Sequence, residues 1–340
     1  MRQGRRASYG RDMSDSNPNG PMTTTAQVTA QHGKHADDTE RVDQFRSAQQ
    51  RVLDRYHVTA RSQMIHIPQL GTDVHALVSG EGPPVLMVIG GGMVAALWSP
   101  LIAQLGGVTT IAFDPPGHGL SEPVPYSTST LRATAVGLIE GVLDSFSIAS
   151  APIVAQSMGG LWSMWYTLDR PQRVSAISLV GCPALMLGTS APLPLRLATI
   201  RPLHRLIDRL QPPSPRQVER LGKMAGEPLG DLPELRDMFL AYERLPAAST
   251  ELLDLHRAAI RVRGARPEVA LTADHLRELT RPVQFVWGEH DPFGPPDVGR
   301  RAAELVTDAE FHTVDAGHGP WFTRPTEVGD LVSAFLARHR

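Results

Sequence analysis

The sequence predicts an α/β fold: a mainly parallel central sheet with helices on both faces and an inserted helical segment. Three observations carry that expectation. Short, continuously apolar runs recur along the chain, and most of them end in Gly or Asp. Stretches of helical periodicity separate these runs. One long segment, 184–280, then interrupts the alternation and shows no strong strand of its own. Strands covered on both faces lose the in–out pattern of a half-solvated sheet, so unbroken apolar runs point to parallel pairing beneath two helical layers.

Residues 1–44 contain no Ile, Leu, Phe or Trp and carry Pro18, Gly20, Pro21 and a threonine run at 23–25. They offer too little apolar surface to offset chain entropy, so a disordered tail is expected. Arg2, Arg5 and Arg6 precede no apolar stretch, which argues against an export signal. From Phe45, apolar residues at 45, 48, 52, 53 and 56 recur at helical spacing. Strand-like runs follow at 64–67 and 74–78, with a turn at 80–84. The alternation proper predicts strands at 85–89, 108–113, 153–155, 174–180, 283–287 and 311–314. Helices are predicted near 97–105, 130–146, 158–169, 297–306 and 326–338. The gap at 184–280 is too long for a loop. Its Leu/Arg-rich patterns at 203–210 and 251–260 read as a helical cap over the C-terminal edge of the sheet, where open α/β sheets bind ligands. The expected organisation is therefore a tail at 1–44, a core of 45–183 and 281–340, and a cap at 184–280.

Composition removes several function classes. The 340 residues are 41% hydrophobic and 20% charged, ordinary for a globular chain. A net charge of −2 gives no global basic field for nucleic acid or an anionic membrane. No apolar run reaches the roughly 18 residues of a membrane span, so a cytoplasmic location is the expectation. A single cysteine, Cys182, excludes an intrachain disulfide and a cysteine-based zinc cage, and reads as a small core residue. The 13 histidines include no His-Glu-x-x-His pattern, and neither a phosphate-binding loop nor a full dinucleotide fingerprint is present. No metal or cofactor is expected. Oligomeric state is not encoded in any pattern read here.

The motif that carries chemistry is Ala155-Gln156-Ser157-Met158-Gly159-Gly160, between an apolar run and a helix. Small residues two before and two after a serine allow a sharp turn that holds the hydroxyl above the sheet. A serine hydroxyl is a poor nucleophile at neutral pH and needs a base, which in turn needs an orienting acid. Asp291 follows the penultimate run in Trp287-Gly288-Glu289-His290-Asp291-Pro292, and His318 follows the last in Asp315-Ala316-Gly317-His318-Gly319. Asp291 has a competing role as cap of a helix beginning near Pro295, and Glu289 a competing claim to be the acid. His290 and His312 read as structural or solvated.

The order Ser157, Asp291, His318 and four motifs together resemble the α/β-hydrolase fold, in particular its esterase-type serine hydrolases, over about residues 60–340. The motifs are Gly90-Gly91-Gly92-Met93 ahead of Trp98, Asp114-Pro115-Pro116-Gly117-His118-Gly119-Leu120-Ser121, the Ser157 turn, and the Asp291/His318 pair. Ala155 stands where the family usually has glycine, and Gly90 where it often has histidine. The resemblance implies a Ser157–His318–Asp291 triad and an oxyanion hole from the backbone N–H groups of Met158 and of Gly92 or Met93. It implies a structural turn, without catalysis, for His118 and Ser121. Met93, Trp98 and Trp321 are the candidate substrate contacts, the tryptophans having packing as their alternative. The implied reaction is cofactor-independent hydrolysis of a small-molecule carboxylic ester or lactone through an acyl-enzyme. A C–C bond hydrolase or perhydrolase with the same triad, and a catalytically silent small-molecule receptor, are the alternatives. Dehalogenase and epoxide hydrolase readings are disfavoured, because those relatives use aspartate where Ser157 stands.

Overall fold

The central strands feed two buried layers by strict alternation. Along the third strand, Val85, Met87 and Ile89 enter one apolar cluster, while Leu86 and Val88 enter the other. The same division splits Phe285 and Trp287 from Val286. Successive side chains on a strand point to opposite faces, so an unbroken apolar run is what a doubly covered strand requires. Each such Val, Ile or Phe contributes about 1.5–3 kcal/mol by leaving water. The computed structural model describes the backbone of residues 25–339 and the side chains of residues 37–339.

In chain order the strands are β1 (Ala60–Ile67), β2 (Thr72–Ser79), β3 (Pro84–Val88), β4 (Thr109–Phe113), β5 (Ala151–Ala155) and β6 (Val174–Val180). A two-residue hairpin, β7 (Ile260–Arg261) and β8 (Gly264–Ala265), precedes β9 (Val283–Gly288) and β10 (Ala309–Val314). The eight-stranded sheet has the order β1-β2-β4-β3-β5-β6-β9-β10. The β1/β2 and β2/β4 pairs are antiparallel, and every pair from β4 to β10 is parallel. This is the α/β-hydrolase fold expected above.

One layer of the core joins α3 (Leu131–Ser145), α4 (Ser157–Asp169) and α11 (Pro296–Leu305) to the sheet and holds Trp162, Trp165 and Tyr166. The other is built from the C-terminal part of α1 (Thr25–Arg55), the short α2 (Ser99–Ile102), α12 (Pro320–Thr323) and α13 (Pro325–His339). Phe45, Ala48, Val52 and Leu53 are the buried face of α1. The expected tail is corrected here, because α1 begins at Thr25 and so takes in residues 25–44. Propensity explains the extension: Ala, Gln and Glu residues follow Pro21 without another proline, and a packed C-terminal half spares them the cost of nucleation. Residues 1–24, with the arginines at 2, 5 and 6, lie outside the described residues. Contacts divide the chain after Glu40, with Arg41–Arg340 forming one unit.

Between β6 and β9 lie α5 (Leu193–Ala198), α6 (Arg201–Leu210), α7 (Pro215–Met224), α8 (Pro233–Glu243), α9 (Ala248–Ala259) and α10 (Ala273–Arg277). Four of the ten prolines of this insertion, Pro194, Pro202, Pro215 and Pro233, stand in the first turns of α5, α6, α7 and α8. A first-turn proline loses no hydrogen bond, since its N–H would have no intrahelical acceptor. Ser214 caps α7 by accepting from the Gln217 N–H.

Candidate active site

The site forms where three strands end. β5 stops at Ala155, Gln156 stays extended, and Ser157 opens α4 with φ +50°. A positive φ is strained for a non-glycine residue, and it holds the side chain out of the strand–helix turn. The turn fits only because Gly159 lacks a side chain: a Cβ there would lie 2.1 Å from the Val88 carbonyl oxygen. Gly90 has an equally local reason, since a Cβ would lie 2.3 Å from Gln156 Oε1. A histidine at that position has no room beside this glutamine.

Asp291 lies three residues beyond β9, 6% exposed. Its Oδ2 accepts the Cys182 N–H at 2.9 Å, and its Oδ1 accepts the Phe293 N–H at 2.9 Å. His318 lies beyond β10 and brings Nδ1 to within 2.9 and 3.0 Å of the two carboxylate oxygens. A carboxylate only accepts, so Nδ1 carries the proton and Nε2 presents its lone pair. Nε2 is buried and has no hydrogen-bond partner among the described residues. The Phe293 ring stacks on the imidazole with centroids 3.9 Å apart.

The histidine backbone is held as firmly as its ring. Gln156 Nε2 donates to the His318 carbonyl at 3.2 Å, which ties the serine turn to the histidine loop. On the other side, the His318 N–H donates to the Ala225 carbonyl of the insertion at 2.8 Å. Glu227, 2% exposed, accepts from the Gly317 N–H at 2.7 Å, the Gly319 N–H at 3.3 Å and the Thr323 hydroxyl at 3.0 Å. Burial pushes its carboxyl up to about 7 against those three bonds, which favour the ionised form.

Ser157 and His318 share one cavity of about 220 Å³ roofed by the insertion. Gly92, Met93 and Met158 also line it. Gly92 has φ +78°. The Met158 N–H lies in the first turn of α4, where no intrahelical acceptor exists. Much of the wall is apolar, including Leu195, Leu221, Leu252 and Phe293. Its other polar side chains are Gln156, Thr189, Ser190, Glu227, Tyr242, Glu243 and His256. Burial, followed by nearby Asp208, pushes Glu243 up to about 7. Burial, with His118 and His204 adding to it, pulls His256 down to about 4, so its ring is neutral. No arginine or lysine is among the described residues lining the cavity.

Two expected contacts are corrected. Trp98 and Trp321 are 0% exposed and do not line the cavity. Their rings pack 4.3 Å apart, and Trp321 Nε1 donates to the Leu97 carbonyl at 2.8 Å. Both belong to the core beneath α13. His118 is buried against Tyr242, and Ser121 bonds the Asp114 carbonyl and the His75 N–H, so the turn they form is structural. Burial raises the Cys182 thiol well above its usual range. Glu289, His290 and Asp315 form the one grouping of potential metal ligands among the described residues, fully exposed, and Asp315 already pairs with His290 and Arg324. Gln156, Phe293, Glu227 and His256 are site residues that the motifs did not disclose. An adjacent position in sequence signals only Gln156; the others reach the site through tertiary approach.

Comparison with known proteins agrees with this fold. The model of the alpha/beta hydrolase family matches residues 85–331. A 2-hydroxy-6-oxononadienedioate/2-hydroxy-6-oxononatrienedioate hydrolase from a Pseudomonas species is 26% identical over 280 residues, covering 79% of this chain and 94% of that one. Naproxen esterase from Bacillus subtilis superposes with a TM-score of 0.66 at 19% identity, over 86% of this chain and 96% of its own. A meta-cleavage product hydrolase from Pseudomonas fluorescens gives 0.67 at 21% identity, over 82% and 98%. The structural likenesses speak to the fold.

Proposed function

This chain belongs to the alpha/beta hydrolase family, and we propose that it is a serine hydrolase that cleaves uncharged carboxylic esters or lactones with Ser157, His318 and Asp291. The observation that carries this reading is the Asp291–His318 pair, whose buried, unpartnered Nε2 lies in the same cavity as Ser157. His318 Nε2 takes the hydroxyl proton as Ser157 Oγ bonds to the ester carbon. The N–H groups of Met158 and Gly92 hold the resulting oxyanion, a contribution of several kcal/mol at the transition state. The tetrahedral species collapses, the C–O bond to the alcohol breaks, and His318 protonates the departing oxygen. Water then gives a proton to His318 and attacks the acyl carbon. Ser157 leaves and recovers that proton, and the acid is released. Asp291 stays ionised, holding the imidazole tautomer and stabilising the imidazolium. Met93 is the remaining proposed substrate contact from the early loop.

The cavity's charge supports the ester reading over a C–C hydrolase of dioates. A dioate brings two carboxylates, and burying an unpaired charge costs several kcal/mol. His256 is neutral, and no arginine or lysine among the described lining residues would pair with such a carboxylate. The C–C reading has in its favour the names of curated relatives, at 26% and 29% identity. A fluorophosphonate probe is expected to label Ser157, with p-nitrophenyl butyrate turned over and a dienedioate ring-fission product not. Turnover of the dioate alone would reverse the choice of bond. Absence of labelling in folded protein would remove the serine mechanism.

A further inference from the structure

Three consecutive backbone N–H groups around the proposed base all point into one short stretch of the insertion. Gly317 and Gly319 donate to the Glu227 carboxylate, and His318 between them donates to Ala225. The approach is close: a Cβ on Gly317 would lie 2.5 Å from both the Ala225 oxygen and the Gly226 carbonyl carbon. Thr323, one turn beyond, completes the carboxylate's partners. Yet the sheet alone already supplies Asp291 and Gln156 to the same histidine. The orientation of the base is thus shared between the sheet and the segment that roofs the cavity.

We propose that Glu227 is a positioning residue: it fixes the backbone on both sides of His318 to the roof of the cavity and so holds the imidazole in place for proton transfer with Ser157. This rests on the serine-hydrolase reading above. Two hydrogen bonds accepted by one buried side chain from the residues flanking the imidazole restrict rotation of the whole loop. Without them, Asp291, Gln156 and Ala225 still hold His318, but the backbone on either side of it loses two restraints. A displacement of about 1 Å in a reacting group costs on the order of 100-fold in rate.

The test compares Glu227→Ala, Glu227→Asp and Glu227→Gln with the unaltered protein. Two quantities are read: the rate constant for fluorophosphonate labelling of Ser157, and kcat with KM for p-nitrophenyl butyrate. Alanine is expected to lower the labelling rate and kcat together by about 10- to 100-fold, with KM changed less than about three-fold. Aspartate keeps the charge but falls short of the loop, and is expected to be intermediate. Glutamine, which retains an acceptor oxygen at full reach, is expected to recover more activity than aspartate. If alanine prevents folding, the order of aspartate below glutamine decides the question. Equal labelling rates across the series, or a loss confined to KM, would overturn the positioning role while leaving the triad standing. A lack of labelling in the unaltered protein would overturn the serine mechanism and this proposal with it.

Discussion

The sheet and the insertion supply opposite walls of one cavity, and different forces hold them. Around Ser157, side chains from β3, β5 and β9 are fully buried and alternate between two apolar layers. The insertion is wetter. Of the seven large apolar side chains left exposed among the described residues, six (Leu193, Ile200, Leu206, Leu210, Leu221 and Val262) belong to it. The α6 helix buries no residue at all. Two of the insertion's carboxyls and one of its histidines are shifted by burial at the cavity wall. On the proposed function, the sheet edge carries the three reacting side chains, while the insertion lends support to the histidine loop and supplies the groups whose titration burial shifts.

That division can be broken by substitution. Ser157→Ala and His318→Ala are expected to lower kcat by about four to six orders of magnitude, with little change in the thermal unfolding midpoint. Comparable activity in either variant would mean that the sheet edge does not hold the chemistry. Trp321→Ala removes a fully buried ring and is expected to cost about 3–5 kcal/mol in urea unfolding. Its ester chain-length preference is expected to stay unchanged, because the ring does not reach the cavity. Leu252→Ala, on the roof, inverts that pattern. The ratio of kcat/KM for longer over shorter p-nitrophenyl esters is expected to rise about 10-fold, with only a small loss of stability.

The smallest effect is on pH. Glu243 has a folded pKa of about 7 against an ordinary 4.5, so the folded state holds its proton more tightly than the unfolded chain. Its contribution to stability is therefore present below about pH 4.5 and is lost as pH rises through 7. Glu227 has the same sign. His256, lowered to about 4, has the opposite one: its contribution is present above its unfolded pKa near 6.5 and is lost as pH falls through 4. Glu243→Gln is expected to raise the unfolding midpoint by a few degrees at pH 8 and to leave it unchanged at pH 4.5, a difference independent of His256. An equal shift at both pH values would show that the carboxyl is not held in a desolvated wall.

The parts of the molecule legible in sequence are those decided locally. The sequence predicts β6 over the residues it occupies, and Ser157, Asp291 and His318 each stand within four residues of the end of an apolar run. Burial on both faces writes itself into the chain as an unbroken run, and a turn writes itself as small residues. What was missed depends on distant parts meeting. Gln156 meets a carbonyl 162 positions away, and Glu227 an amide 90 positions away. Trp98 and Trp321 illustrate the converse error. They sit beside functional motifs, yet large rings next to a site still serve packing first. The length of α1 was missed because a polar helix continued from a packed one needs no apolar stripe of its own.

No arginine or lysine stands among the described residues lining the cavity, and that bears on turnover under the proposed reaction. A neutral ester would enter an apolar chamber, whereas its hydrolysis would leave a carboxylate with no counter-ion to detain it. Carboxylate products are therefore expected to inhibit weakly even when their parent esters bind well.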